Sequence, residues 1–425
     1  MNTEKLLEKI LSPENMDEAI KQVKHNKGAA GVDGMLTTEL DGYFEAHGEE
    51  IKELIRQRKY KPSPVLRVEI PKPNGGVRNL GIPTVIDRAI QQAISQIITP
   101  IFEKTFHDSS YGFREGRCAQ NAIEKAINLM NQHYTWIVDI DLEKFFDTVN
   151  HDKLMTLVAK RVQDGDVVSI IRKYLVSGVM VDDEYKESII GTPQGGNLSP
   201  LLSNIMLNEL DWELERRGLN FVRYADDCII LVGSEKSANR VMTSVTKYIE
   251  ENLWLKVNVS KSKIETPKEL KYLGYGFYFD GFQKQYRARP HGDSIMKVKR
   301  RIKELTSRKW GVSMDYRIMR LNWVIRGWIN YFRIANMKMV CKEIDKHMRF
   351  RLRMCIWKQW KKPRTRYKSL IKLGIPKGKA WEWANSRKGY ARVASSFIMQ
   401  RAVTNEILKR KGLVFLLDHY QTVHI

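Results

Sequence analysis

Asp226 and Asp227 are adjacent carboxylates set between two apolar runs, Phe221-Val222 and Cys228-Ile229-Ile230-Leu231-Val232. The second run is rich in β-branched residues and stops at Gly233-Ser234, the pattern of a short buried strand. The spacing therefore predicts two acids at the tip of a strand–turn–strand unit. Packing does not call for that pair, because like charges side by side repel. A hard divalent cation such as Mg²⁺ would cancel the repulsion; a solvated hairpin tip is the plain structural alternative.

A second group of acids favours the chemical reading. Trp136-Ile137-Val138-Asp139-Ile140-Asp141-Leu142 alternates like a strand, with Trp136, Val138, Ile140 and Leu142 on one face and Asp139 and Asp141 on the other with Ile137. An acid on a central strand, joined by an acidic pair on a hairpin, suits two-metal nucleotidyl transfer. One metal activates a 3′-hydroxyl and the other neutralises the leaving pyrophosphate. Spacing alone leaves open which of Asp139 and Asp141 is the ligand.

Asp141 with Phe146 five residues on, then Thr192-Pro193-Gln194-Gly195-Gly196, then Tyr224-Ala225-Asp226-Asp227, resemble the successive motifs of a reverse transcriptase palm. Residues 26–34, Arg78-Asn79-Leu80-Gly81-Ile82-Pro83, Ser110-Tyr111-Gly112-Phe113-Arg114 and Leu270-Lys271-Tyr272-Leu273-Gly274 are similar to the bacterial group II intron-encoded reverse transcriptase/maturase family, of the compact type lacking an endonuclease domain. The resemblance covers essentially the whole chain. It implies an α+β right-hand polymerase: fingers, a palm whose antiparallel sheet carries the carboxylates and packs on helices, a helical thumb and a basic C-terminal region. The implied boundaries are 1–60 for an N-terminal extension, 61–135 fingers, 136–280 palm, 281–360 thumb/maturase domain and 361–425 basic region.

The resemblance also implies site roles. Asp141, Asp226 and Asp227 are the catalytic residues and, with the Leu142 backbone carbonyl, hold two Mg²⁺ ions, for which Mn²⁺ can substitute. Lys72, Arg78, Phe146, Gln194 and Lys263 bind the nucleotide. Lys72 and Arg78 flank a glycine-rich hairpin tip and reach the triphosphate, although solvated cations on a turn are the ordinary case. Phe146 lies under the sugar and excludes a 2′-hydroxyl, although a core phenylalanine is commoner. Lys263 or Lys261 stands near the leaving pyrophosphate. Residues 26–31 are a flexible loop that only the resemblance makes a nucleic-acid contact.

Charge agrees independently. Residues 281–425 hold 36 Lys+Arg against 8 Asp+Glu, a net +28, whereas residues 1–280 carry −5. Such asymmetry points to a polyanion. Arg349, Arg353, Trp357, Trp360, Lys361 and Lys362 interleave cations with indoles, a pattern suited to phosphate contact and base stacking. The apolar runs are too short to span a membrane, and the N-terminus reads as amphipathic, not as a signal peptide. Cysteines 118, 228, 341 and 355 form no CxxC pair, so neither zinc nor disulfides are expected, and a cytoplasmic setting fits.

Elements that position these residues are also readable. Ser12-Pro13 caps the first helix, and Thr84 with Asp87 opens another that Pro100 ends. Prolines and Gly75-Gly76 punctuate a hairpin around Val65–Ile70, and Ser199-Pro200 starts a helix. Leu321, Val324, Ile325, Trp328, Ile329 and Phe332 form a packing stripe. The expected activity is RNA-directed DNA synthesis with assistance to splicing and mobility of a group II intron. The partners are then intron RNA, an RNA template with DNA primer, and target DNA, with no membrane and a monomer or homodimer. The alternatives are a retron, diversity-generating or defence-associated reverse transcriptase and, in another class, a non-catalytic RNA-binding splicing cofactor.

Overall fold

Apolar runs and breaker residues become strands and helices in the computed structural model, which describes residues 5–71, 75, 77–182, 184–187, 190–192 and 195–424. The chain divides into two units, Met1–Thr266 and Pro267–Ile425.

The strands of the first unit are β1 (Val65–Pro71), β2 (Val77–Ile82), β3 (Trp136–Ile140), β4 (Val179–Val181), β5 (Glu184–Lys186), β6 (Asn220–Tyr224), β7 (Asp227–Val232) and β8 (Lys263–Glu265). The proline-bounded hairpin forms as expected, Leu66 pairing with Ile82 and Pro71 with Val77, in a sheet of order β2-β1-β4-β5. The second sheet has order β6-β7-β3-β8, with antiparallel neighbours throughout. Val138 and Ile140 of β3, Phe221 of β6 and Cys228, Ile230 and Val232 of β7 share one buried core with the helices Val85–Glu103, Ser199–Arg216 and Glu235–Asn252. The period-2 pattern thus turns one face of the sheet to the helices and leaves Asp139 on the other.

Three boundaries differ from expectation. A one-turn helix, Leu7–Ile10, precedes the Ser12-capped helix Pro13–Asn26, so the latter is second. The Thr84-capped helix continues through Pro100 to Glu103. Buried Ile98 and Phe102 flank the proline, and their burial offsets a proline penalty of about 3 kcal/mol. Ser199 lies inside its helix instead of capping it, because its N–H already meets the Gly196 carbonyl at 3.2 Å.

The second unit begins with β9 (Lys271–Tyr272), β10 (Tyr275–Asp280) and β11 (Gln285–Pro290), a three-stranded sheet of order β11-β10-β9. These strands cluster with the helices that follow them. The helix Met314–Tyr331 buries Leu321, Ile325 and Ile329, so the apolar stripe is packing, as expected. Asp345 on the helix Lys338–Gln359 accepts the Leu416 and Leu417 N–H groups at 2.8 and 3.0 Å, which anchors the helix Leu416–Val423. Among the described residues no helix is long and apolar enough to cross a membrane.

Candidate active site and nucleic-acid surface

The β6–β7 hairpin closes on the Tyr224–Asp227 pair, leaving Ala225 and Asp226 as a two-residue turn. Ala225 is buried at φ +57, the left-handed region. Gly112 lies against this turn: a Cβ there would come 2.9 Å from the Tyr224 carbonyl carbon and closer still to the Ala225 nitrogen. Gly112 therefore owes its place in the Ser110–Arg114 motif to close backbone approach.

Asp141 follows β3 directly. Its N–H donates to Ser262 Oγ at 3.1 Å, its carbonyl accepts the Asn258 N–H at 2.8 Å, and Lys261 Nζ stands 3.3 Å from its Oδ1. Leu142 bridges to Val257 in the same wrapping segment. Asp139 pairs across the sheet with Ile229 and Lys263.

The carboxylates act on one another. Burial, then Asp226 and Asp141, push Asp227 up to about 6, against the pull of Lys261. Burial and Asp141 raise Asp226, while Arg78 and Arg223 pull it down. Asp139 is pushed up to about 7 by burial, with Asp227, Glu265 and Asp141 contributing. Among the described residues no three His, Cys, Asp or Glu groups converge closely enough to hold an ion. The donor chemistry nonetheless fits a hard divalent cation: oxygen ligands only, in mutual repulsion that positive charge relieves. Lys261 takes up Asp141.

Of the five expected nucleotide contacts, Arg78, Phe146 and Lys263 fall among the described residues. Arg78 is exposed on β2 and its charge reaches Asp226. Phe146 is half-buried, edge-on to buried Phe145 with centroids 5.2 Å apart, and its carbonyl accepts the Thr192 N–H at 2.6 Å. Gly195, at φ +129, lies against the Gly81 carbonyl of β2, where a Cβ would stand at 2.5 Å. The two glycine motifs are thereby packed together. Lys72 and Gln194 lie outside the described residues. Lys263 sits on β8 with Nζ 3.4 Å from Glu265, so Lys261 is the lysine in contact with the Asp141 carboxylate.

Two C-terminal expectations are corrected. Trp357 is 1 % exposed and covered by the Arg366 guanidinium 4.6 Å from its ring, so it is core and not a stacking platform. Arg353 directs Nε and Nη2 to the Val403 carbonyl at 3.1 and 2.9 Å, a bond that serves the fold. Arg349 lies 5.8 Å from the Phe415 ring, Trp360 is half-buried against Trp357, and Lys361 and Lys362 are exposed. Residues 28–31 also have a packing role: Arg88 donates to the Ala29 carbonyl at 2.5 Å, and a Cβ on Gly31 would lie 2.7 Å from the Thr84 Cα.

Sequence reading passed over Lys261's contact with Asp141 and the buried Arg223 and Asp211. The available signal for Arg223 was a lone cation inside an apolar strand, Phe221-Val222-Arg223-Tyr224.

Comparison with known proteins places these features in context. The family profile described as reverse transcriptase (RNA-dependent DNA polymerase) matches residues 70–277, and that of the group II intron maturase-specific domain matches residues 295–374. Protein YkfC of Escherichia coli is 31% identical over 74% of this chain and 91% of its own length. The group II intron-encoded protein LtrA of Lactococcus lactis is 38% identical over 48% of this chain and 34% of its own. The putative COX1/OXI3 intron 2 protein of Saccharomyces cerevisiae is 28% identical over 66% and 40%. The chain thus spans most of the first relative but well under half of the other two.

Proposed function

The chain belongs to the family of group II intron reverse transcriptases and maturases, and from that premise we propose that it copies an RNA template from a DNA primer and assists its intron in splicing and mobility. The observation that carries the polymerase reading is the strand register: Ile140 at the end of β3 pairs with Cys228 of β7, so Asp141 leaves the sheet beside Asp227 and the β6–β7 turn that carries Asp226.

In this reading Asp141, Asp226, Asp227 and the Leu142 carbonyl hold two Mg²⁺ ions, or Mn²⁺ in their place. Bound there, the metals supply an activated 3′-hydroxyl and charge neutralisation for the pyrophosphate. Arg78, and Lys72 with it, close on the triphosphate from the hairpin. Lys261, already at Asp141, is better placed than Lys263 to swing to the leaving phosphates once the carboxylate is otherwise engaged. Phe146 bounds the sugar from below, and Gln194 bonds the incoming nucleotide. Asp139, paired with Lys263 of the neighbouring strand β8, supports the site from behind.

The maturase reading draws on the +28 carried after residue 280. Intron RNA and target DNA are polyanions that this positive charge would attract. The cysteines, all free thiols, suit a reducing cytoplasm.

Primer extension on an RNA template tests the proposal. Asp141→Asn, Asp226→Asn and Asp227→Asn each remove charge where it counters the transition state, with an expected loss of about 100-fold or more. Full activity in any of the three, with circular dichroism unchanged, would remove that residue from the centre.

A further inference from the structure

Beneath the carboxylate turn lies an ion pair that the chemistry above does not use. Arg223 and Asp211 both have no solvent exposure. Nε donates to Oδ1 at 2.7 Å and Nη2 to Oδ2 at 2.5 Å. Such a pair adds little net stability over apolar side chains, because desolvation offsets the attraction. Stability is therefore a weak account of it.

The third guanidinium nitrogen supplies a better one. Nη1 donates to the Ala225 carbonyl at 2.9 Å and to Asn204 Oδ1 at 3.0 Å. Asn204 Nδ2 in turn donates to the Gly112 carbonyl at 2.9 Å. The Arg223 backbone is held by the same segment, its N–H on the Ser109 carbonyl at 2.9 Å and its carbonyl on the Tyr111 N–H at 2.8 Å. Ala225 occupies a left-handed conformation, which is unfavourable for a residue that carries a Cβ. A carbonyl gripped by a charged donor, with Gly112 pressed against the same peptide, holds the turn there.

We propose that Arg223 is the positioning residue of the catalytic turn. Asp211 orients its guanidinium, Asn204 couples it to the Gly112 segment, and Nη1 fixes the Ala225 carbonyl. Asp226 and Asp227 are thereby presented in one orientation relative to Asp141. The inference rests on the polymerase reading above and deepens it.

Arg223→Lys tests it, since lysine keeps the charge beside Asp211 but cannot fork to Ala225 and Asn204. A displaced turn is expected to lower kcat about ten-fold or more. Primer–template affinity and nucleotide KM should stay unchanged, the melting temperature should move only a few degrees, and amide exchange in the peptide spanning 221–228 should quicken. The pair Arg223→Met with Asp211→Leu removes both charges without stranding either, and it is expected to lose kcat in the same way. If the pair variant fails to fold, the lysine variant decides alone. Wild-type kcat and exchange in folded Arg223→Lys would overturn the inference, as would a loss explained wholly by weaker primer–template binding or by melting. A wild-type chain that extends no primer would instead sink the polymerase reading, and the exchange comparison would still judge the brace.

Discussion

Single residues decide this site through charge and through contact with backbone. The acids were legible in the sequence because packing gives no reason to set two carboxylates together inside an apolar hairpin. Their support was not legible: Arg223 meets Asp211 and Asn204, 12 and 19 residues earlier, and no local pattern announces such partners. Gly112 is the sharpest case, and Gly112→Ala should push the Tyr224-Ala225 peptide out of place. We expect primer extension to fall about 100-fold while the melting temperature drops by only a few degrees; full activity in that variant would mean the turn tolerates displacement. Phe146 tests steric exclusion. Its half-buried ring rests on Phe145, so Phe146→Ala should open space without disturbing the carboxylates. Ribonucleotide incorporation should rise about ten-fold or more relative to deoxynucleotide incorporation; an unchanged ratio in a folded variant would make the ring plain packing.

Elements were legible where one period dominated. The strand Trp136–Ile140 and the helix Met314–Tyr331 each carry a single clean alternation or stripe. Their ends were less so, because tertiary burial overrides local signals, as Ile98 and Phe102 do at Pro100. Buried tertiary caps such as Asp345 leave no local trace either, since its acceptors serve amides some 71 residues away. Burial lifts the Asp345 carboxyl up to about 6, against the pull of the Leu417 and Leu416 amides and Arg349. The folded-state pKa thus exceeds the unfolded one, so folding favours the protonated form. Its contribution is full below about pH 4 and is lost as pH rises through about 6, a change of roughly 3 kcal/mol. Asp345→Asn keeps one acceptor and never ionises. Between pH 4 and pH 7 its melting temperature should gain steadily on that of wild type; a constant difference across that range would show that Asp345 does not titrate as described.

At the scale of the whole molecule, charge is the fact that sequence alone revealed most fully: net −5 up to residue 280 and net +28 beyond it. What the sequence could not do was separate cations that serve the fold from cations that serve a partner, because both kinds alternate with aromatics. Arg353 on the Val403 carbonyl and Arg366 on the Trp357 ring belong to the fold. Lys361, Lys362, Arg364 and Lys368 are exposed, so they are the better candidates for phosphate contact. Each phosphate neutralised releases counterions and steepens the fall of affinity with salt by about 0.7–0.9 in the log–log slope. Replacing all four with Gln should therefore flatten the slope for structured intron RNA by up to about 3, with melting unchanged. Arg353→Gln should do the reverse, lowering the melting temperature while leaving the salt slope alone. Splicing assistance should suffer more in the quadruple variant than extension of a short primer–template, which depends on the carboxylates of the first unit. If the quadruple variant bound intron RNA with the wild-type slope, these exposed cations would not be the RNA surface, and the maturase reading of residues 361–368 would fail while the polymerase reading stood.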